Sequence, residues 1–191
     1  MDITIYKNTP VRAGMAGGSA DAAAVLVGLN ALYDARLSMS ELCAIGATLG
    51  ADVPFALMGG TCRVQGKGDL LRPLPPCPDC RFVVAMPSVG VSTPAAFAAY
   101  DEVGSSVHPD GEAAEAAVRA GDLAALKELL RQNGAKQALM TGSGAAVFGV
   151  FDDPERAEAA RAALAKEYRQ VYLAAPDKGG ARVLPAPKRR G

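Results

Sequence analysis

Several kinds of residue are scarce in this sequence, and each scarcity argues against a class of protein. The 191 residues include no tryptophan, 5% aromatic residues and one histidine, His108, in a turn-like stretch. A single histidine disfavours a histidine-based mechanism and a histidine metal site. The chain also carries no excess charge, because 20 Lys and Arg residues balance 20 Asp and Glu residues. This balance excludes a globally basic nucleic-acid binder and an acidic tail protein.

Long apolar runs are missing as well. No stretch approaches the roughly 18–20 apolar residues that a membrane-spanning helix needs, and the N-terminus lacks the pattern of a signal peptide. We therefore expect a cytoplasmic protein with neither a membrane nor a nucleic acid as its partner. Half of the residues are apolar and 21% are charged, so the chain can bury a normal core.

The four cysteines, Cys43, Cys62, Cys77 and Cys80, do not form a recognisable metal or redox motif. Cys77 and Cys80 are a lone C-x-x-C pair, whereas a zinc site needs two further ligands at suitable spacing. A thioredoxin-like pair should open a helix after a strand, but this one lies in a proline-rich stretch, 73–80. We interpret the pair as part of a connector between two lobes.

Apolar periodicity predicts alternating strands and helices, and therefore an α+β or α/β fold. Ser19 is the expected N-cap of the first helix, and a capping box, Ser38 with Glu41, begins the second. The predicted strands are 3–6, short strands within 61–74, 82–86, 145–151 and 170–174. The predicted helices are 20–33, 38–50, one beginning at 92–94, 111–132 and 154–168.

The segment 10–19 is rich in glycine and lies between a predicted strand and a predicted helix. Free backbone N–H groups and the positive end of a helix dipole both favour an anion at such a place. Ser19 would offer a hydroxyl to a phosphate-bound Mg²⁺. The segment matches neither of the common nucleotide-binding glycine patterns. From the residues alone, a tight turn and a phosphate site are equally good interpretations.

Two further segments bear on function. Asp52 is flanked by apolar residues and by Pro54, so it is either a turn residue at a helix end or a functional acid or base. A second small-residue loop, 140–144, is either a hairpin turn or part of a site. Two glycine loops together with a lone carboxylate are a more specific combination than any one of the three.

Residues 10–23, P-V-R-A-G-M-A-G-G-S-A-D-A-A, resemble the P-x-x-x-G-L-G-G-S-S-x-A-A phosphate loop of the GHMP kinases. Residues 49–55, L-G-A-D-V-P-F, are similar to the segment with that superfamily's catalytic aspartate, and 140–145, M-T-G-S-G-A, to its third motif. The run 49–55 and residues 90–93, before a helix with Phe97, are most similar to the branch that phosphorylates 4-diphosphocytidyl-2-C-methyl-D-erythritol.

This resemblance implies a two-lobed α+β fold. A partial N-terminal ATP-binding lobe, similar to ribosomal protein S5 domain 2, would span 1–75, and a ferredoxin-like C-terminal lobe would span 76–176. Residues 177–191 form a basic tail that we expect to be disordered. The implied activity is ATP-dependent phosphorylation of the substrate's 2-hydroxyl in non-mevalonate isoprenoid biosynthesis, with ATP and Mg²⁺ as cofactors.

The resemblance also assigns roles to individual residues. Asp52 would accept the proton of the attacking hydroxyl, and Ser19 would contact Mg²⁺ through ATP. Phe97, Gly142 and Ser143 would contact the substrate, with Phe97 stacking on its cytosine. The residues that would bind ATP are Lys7, Pro10, Val11, Arg12, Ala13, Gly14, Met15, Ala16, Gly17, Gly18, Ser19, Ala20 and Thr93.

The chain departs from the family pattern in several places. The N-terminal P-A-K-I-N strand, whose lysine works with the aspartate, and the D-G-Y-H segment have no counterpart here, and Ala20 replaces the loop's second serine. We expect weaker charge stabilisation at the transferred phosphate and exposed N-lobe surface that favours self-association. The alternatives are another GHMP kinase, of homoserine or mevalonate type, and an inactive nucleotide-binding remnant.

Overall fold

The structure is a computed structural model that describes residues 2–66, 68, 70–87, 121–142 and 144–185. The chain divides into two compact units, each built from two separate pieces of sequence. The first unit contains Met1–Met15 and Pro78–Pro176, and the second contains Ala16–Cys77 and Asp177–Gly191. The predicted helix at 92–94, the first part of the predicted helix 111–132 and His108 lie outside the described residues.

The described elements are a mixture of helices and strands, as predicted for an α+β fold, but three helices and then three strands come first instead of a strict alternation. The helices are α1 (Gly17–Leu32), α2 (Met39–Leu49), α3 (Val53–Met58), α4 (Gly121–Gln132) and α5 (Pro154–Leu164). The strands are β1 (Cys62–Gln65), β2 (Leu70–Pro73), β3 (Arg81–Ala85), β4 (Gln137–Met140), β5 (Val147–Phe151) and β6 (Val171–Ala174). Among the described residues, no helix has the length and apolar character that a bilayer crossing requires.

The first unit is built on a four-stranded antiparallel sheet in the order β4-β5-β3-β6. Its described elements follow the chain order β3, α4, β4, β5, α5, β6. A β-α-β-β-α-β order with this strand arrangement is the ferredoxin-like fold. The resemblance had implied this fold for the C-terminal part of the chain.

The two faces of this sheet have different partners. Because side chains alternate along a strand, Val83 of β3 points to the face covered by α4 and α5, where it packs in one core with Leu130 of α4. Val84 points to the opposite face, where the loop residue Ala13 is buried beside it, with Phe148 packed against them. The first glycine loop is therefore anchored on the sheet face away from the helices.

The second unit contains α1, α2 and α3 and an antiparallel hairpin, β1–β2. Ala23, Leu42, Val53 and Leu57 form its buried core, so all three helices contribute to it. The predicted capping box is confirmed, since Ser38 is the N-cap of α2 and pairs with Glu41 in both directions.

Two predictions about the N-terminal region are wrong. Residues 3–6 form no strand, and Ile3, Ile5 and Tyr6 are 55%, 55% and 87% exposed. A segment forms a strand only if its backbone can hydrogen-bond to a neighbouring strand, and no described strand pairs with residues 3–6. Ser19 is not the N-cap of α1, because a left-handed Ala16 begins the helix and leaves Ser19 inside its first turn.

The described part of the basic tail, 177–185, makes defined contacts. Its residues lie against the C-terminal end of α3, where the Ala181 N–H donates to the Ala56 carbonyl at 2.9 Å. This contact could not be predicted from sequence patterns, because it depends on a helix more than a hundred residues earlier. Helix α3 and strand β4 were also not predicted, since both are too short to show a clear periodicity.

We predict that Ser38→Ala lowers the free energy of unfolding by about 1 kcal/mol at neutral pH, because it removes a helix N-cap. Hydrogen bonds from the Ser38 hydroxyl and backbone lower the pKa of Glu41. This stabilisation is present above the carboxyl's usual pKa of 4.5 and is lost as the pH falls through the lowered value. Urea denaturation of the wild type and of Ser38→Ala should therefore show a smaller difference in the free energy of unfolding at acid pH than at neutral pH. Exposed Ser40→Ala is the control, and an equal loss there would contradict the capping role.

Candidate active site

The first half of the glycine loop, in the first unit, has a backbone suited to an anion. Arg12 and Gly14 have positive φ values of 58° and 68°, whereas Ala13 between them does not. Alternation of this kind turns successive N–H groups toward one side and forms an anion-binding nest. Within the described residues, the N–H groups of Gly14 and Met15 donate to no protein acceptor. These two donors are therefore available to a ligand.

The β4–β5 turn, described at 141–142 and 144–146, packs directly against this loop. A methyl group built on Gly14 would lie 2.1 Å from the Thr141 carbonyl oxygen, and one on Gly142 would lie 2.8 Å from the Gly14 carbonyl oxygen. These separations leave no room for a side chain at either position. The structure thus brings two of the three motifs together through backbone contact within one unit.

Hydrogen bonds hold the same two segments together. The amides of Ala145 and Ala146 donate to the carbonyls of Arg12 and Ala13 at 3.4 and 3.3 Å. The Thr141 hydroxyl also lies within hydrogen-bonding distance of the Ala13 carbonyl. The β4–β5 turn therefore engages the loop's carbonyls. Sequence reasoning had given Thr141 no role, because its partner is 128 residues away.

The second half of the loop, in the second unit, is the start of α1. Ala16, with φ 49°, is the N-cap, and no side chain caps the helix. The exposed Gly18 has open space around it, since a methyl group built there would meet no atom within 4 Å. An α-helix N-terminus carries a partial positive charge, so this end favours an anion such as a phosphate.

The turn that carries Asp52, in the second unit, adjoins this helix end. Asp52 is exposed and occupies the N-cap position of α3, but its side chain makes no capping hydrogen bond. A methyl group built on Gly50 would lie 3.9 Å from the Ser19 hydroxyl oxygen. The turn that carries Asp52 therefore adjoins Ser19, and a carboxylate that does not cap its own helix remains available for chemistry.

Of the other predicted site residues, Lys7 lies in an irregular segment and three more lie outside the described residues. Lys7 is exposed in the irregular N-terminal segment of the first unit. Thr93, Phe97 and Ser143 lie outside the described residues. In the part of the chain that the structure describes, no three His, Cys, Asp or Glu side chains form a metal-binding group.

Family models match both parts of the chain. Residues 1–60 match the GHMP kinases N terminal domain. Residues 96–170 match the GHMP kinases C terminal domain. The first match contains the glycine loop and the segment with Asp52, and the second contains the third motif, 140–145.

Individual relatives agree with the family models. The 4-diphosphocytidyl-2-C-methyl-D-erythritol kinase of Moorella thermoacetica is 41% identical over 90% of this chain and 69% of its own length. A crystal structure of 4-(cytidine 5'-diphospho)-2C-methyl-D-erythritol kinase matches 92% of this chain and 69% of its own, with a TM-score of 0.74 and 33% identity. Homoserine kinase from Cytophaga hutchinsonii, at 20% identity and a TM-score of 0.71 over 91% of this chain and 69% of its own, shares the fold.

We predict that Gly14→Ala destabilises the chain by more than about 2 kcal/mol. Alanine is strained in the left-handed backbone conformation of this residue, and its methyl group would clash with the Thr141 carbonyl. Gly18→Ala is the control, since its methyl enters open space. Urea denaturation measures both effects. Equal stability of the two variants would show that the loop and the β4–β5 turn do not pack as closely as described.

Proposed function

Because the chain belongs to the GHMP kinases, and among them to the 4-diphosphocytidyl-2-C-methyl-D-erythritol kinases, we propose that it phosphorylates the 2-hydroxyl of 4-diphosphocytidyl-2-C-methyl-D-erythritol with ATP. This reaction is a step of non-mevalonate isoprenoid biosynthesis. The observation that carries the proposal is the 41% identity to the Moorella thermoacetica enzyme over 90% of the chain. Production of ADP from ATP only when this substrate is supplied tests it. A folded chain that forms no ADP would contradict it.

The ATP phosphates bind along residues 10–20 in this proposal. Two features support this role, one from each half of the loop. The amides of Gly14 and Met15 donate to no acceptor within the described residues, and α1 begins without a side-chain cap. Backbone N–H groups of this kind hold phosphate oxygens in many nucleotide-binding proteins, and they require small neighbouring residues for close approach.

A Mg²⁺ ion would accompany the ATP and neutralise phosphate charge during transfer. Mg²⁺ is commonly held by substrate phosphates, water and one or two protein oxygens, not by a complete protein cage. The donors here fit that pattern, because the described residues contain no acidic or histidine cluster and Ser19 presents a hydroxyl in the first turn of α1. Ser19 is the residue that we propose as a ligand.

Asp52 acts as the base in this proposal. Its carboxylate accepts the proton of the substrate's 2-hydroxyl while that oxygen bonds to the γ-phosphorus of ATP. The bond from that phosphorus to the bridging oxygen breaks, and ADP leaves. Phosphoryl transfer depends mainly on positioning and charge neutralisation, with one residue to orient the nucleophile. The absence of a capping bond at Asp52 and the contact of its turn with Ser19 through Gly50 support this role.

The substrate contacts follow the family pattern. We assign Phe97 to stacking on the cytosine, Gly142 and Ser143 to the substrate, and Lys7 and Thr93 to the nucleoside end of ATP. Of these five residues, Gly142 has the best-defined surroundings, because its backbone lies against the phosphate-binding loop. That contact would place a substrate group held by the β4–β5 turn near Gly14.

We predict that Asp52→Asn lowers kcat by about 10²–10⁴-fold and leaves the Kd for ATP nearly unchanged, because it removes the proton acceptor and keeps the shape. Coupled ADP-release kinetics and calorimetric ATP titration measure the two quantities. Asp34→Asn is a matched control in the same unit. It is exposed and has a φ of 47°, which asparagine tolerates well. Full turnover by the Asp52 variant would remove Asp52 from the base role.

We also predict that Gly18→Ala raises the Kd for ATP by roughly tenfold or more, about 1.4 kcal/mol, because its methyl occupies the space proposed for phosphate. Gly28→Ala is the control, since Gly28 lies in the same helix and also has no atom within 4 Å of an added methyl. That change should stabilise α1 by about 0.5–1 kcal/mol without altering ATP affinity. An unchanged Kd for the Gly18 variant would place the phosphates elsewhere.

A further inference from the structure

Helix α3 carries the candidate base at its N-terminus but is only six residues long. A helix this short has too few internal hydrogen bonds to be stable alone, so its geometry depends on contacts made elsewhere. Its core face supplies part of what it needs, because Val53 and Leu57 are buried against α1 and α2. Its last carbonyls still require donors from outside the helix.

One of these donors comes from the other end of the chain. The Phe55 carbonyl accepts the Gly59 amide at 2.7 Å, which is a local bond. The Ala56 carbonyl accepts the amide of Ala181 at 2.9 Å. We call residues 177–182 the strap, because they cross the C-terminal end of α3 and satisfy this carbonyl.

The strap approaches α3 through backbone contact. A methyl group built on Gly180 would lie 2.0 Å from the Leu57 carbonyl oxygen. One built on Gly59, which has a φ of 67°, would lie 2.1 Å from the Gly180 nitrogen. Two glycines therefore face each other where the helix ends. Any side chain at Gly180 would push the strap and α3 apart.

The strap has a defined shape of its own. The Gly179 amide donates to Asp177 at 3.1 Å, and Arg182 forms an ion pair with the same carboxylate at 3.1 Å. These interactions lower the pKa of Asp177, and the hydrogen bond from the Gly179 amide has the largest effect. Asp177 thereby closes a turn that presents Gly180 and Ala181 to α3. Methyl groups are tolerated next to this contact, because one on Gly179 would meet only the flexible end of Arg182, at 3.2 Å.

From these contacts we infer that Gly180 and Ala181 are positioning residues for phosphoryl transfer: by holding the C-terminal end of α3, the strap sets the position of Asp52 at its other end. The inference rests on the proposed role of Asp52 as the base. A base must lie within hydrogen-bond reach of the hydroxyl proton, and a misplacement of about 1 Å can cost roughly 10²-fold in rate. Binding of ATP does not require Asp52 and should be insensitive to the strap.

The test compares Gly180→Ala with Gly179→Ala in the full chain. Gly180→Ala should lower kcat by about tenfold to a hundredfold, with KM and Kd for ATP changed by less than about twofold. Gly179→Ala should retain wild-type kcat. Both rates are expressed per folded molecule, counted by calorimetric ATP titration. A purely structural role would lower the folded fraction and leave kcat per folded molecule unchanged, and that result would overturn the inference.

A double variant separates this inference from the proposed function. Combining Gly180→Ala with Asp52→Asn should give the same residual turnover as Asp52→Asn alone, because the strap acts through Asp52. A further loss in the double variant would show that the strap acts by another route. An inactive Asp52→Asn variant beside a fully active Gly180→Ala variant would overturn only the strap's role. Full turnover by Asp52→Asn would overturn the base assignment and the inference together.

A second pair of variants covers the case in which Gly180→Ala does not fold. Ala181→Pro removes the N–H that caps the Ala56 carbonyl, whereas Ala181→Ser keeps it. The proline variant should show the fall in kcat at constant ATP affinity, and the serine variant should not. Equal kcat values per folded molecule for this pair would overturn the inference.

Discussion

The close packing of two backbone loops is the constraint on which the rest of the first unit's site depends. The backbones of Gly14 and of the β4–β5 turn lie so close together that no side chain fits between them. The turn's amides and the Thr141 hydroxyl engage the loop's carbonyls. Because the carbonyls of Arg12 and Ala13 are occupied while the amides of Gly14 and Met15 are not, this part of the loop offers amide donors, which suits an anion. The charge preference of the loop thus follows from its packing.

The same principle appears in the second unit, with different residues. The Asp52 side chain does not cap α3, although aspartate at an N-cap usually does. The opposite end of that helix is satisfied by a distant amide. The C-terminal end of α3 is thus held by a distant part of the chain, and the Asp52 carboxylate at its N-terminal end makes no capping hydrogen bond. Each unit therefore combines a long-range backbone contact with a polar group that makes no such contact.

Sequence patterns predicted those elements whose causes are local. The capping box at Ser38 begins α2 because both partners lie within one turn, and the apolar run at 82–86 gives β3 because both faces of that strand are covered. The pattern at 3–6 did not give a strand, since a strand also needs a neighbour that the pattern cannot specify. The start of α1 was misplaced because a left-handed Ala16 is rare and leaves no sequence signal.

The candidate site was predictable to a similar degree. Motif resemblance identified the three segments, and the structure joins them in two pairs, Gly14 with Gly142 and Ser19 with the turn that carries Asp52. The role of Thr141 and the contact made by 177–182 could not be predicted. Each depends on a partner more than a hundred residues away, and periodicity or spacing describes only neighbours.

The discontinuous make-up of the two units has a consequence for how the protein is synthesised. A ribosome delivers α1, α2 and α3 long before residues 177–182, yet the second unit includes both. The nascent chain therefore exposes an unfinished helical core while more than a hundred further residues are translated, a situation in which chaperones usually shield apolar surface. Contacts between such distant segments also fold slowly, because the intervening chain must first be closed into a loop. Assembly of each unit is thus a late event, because each one combines an early piece of the chain with a much later one.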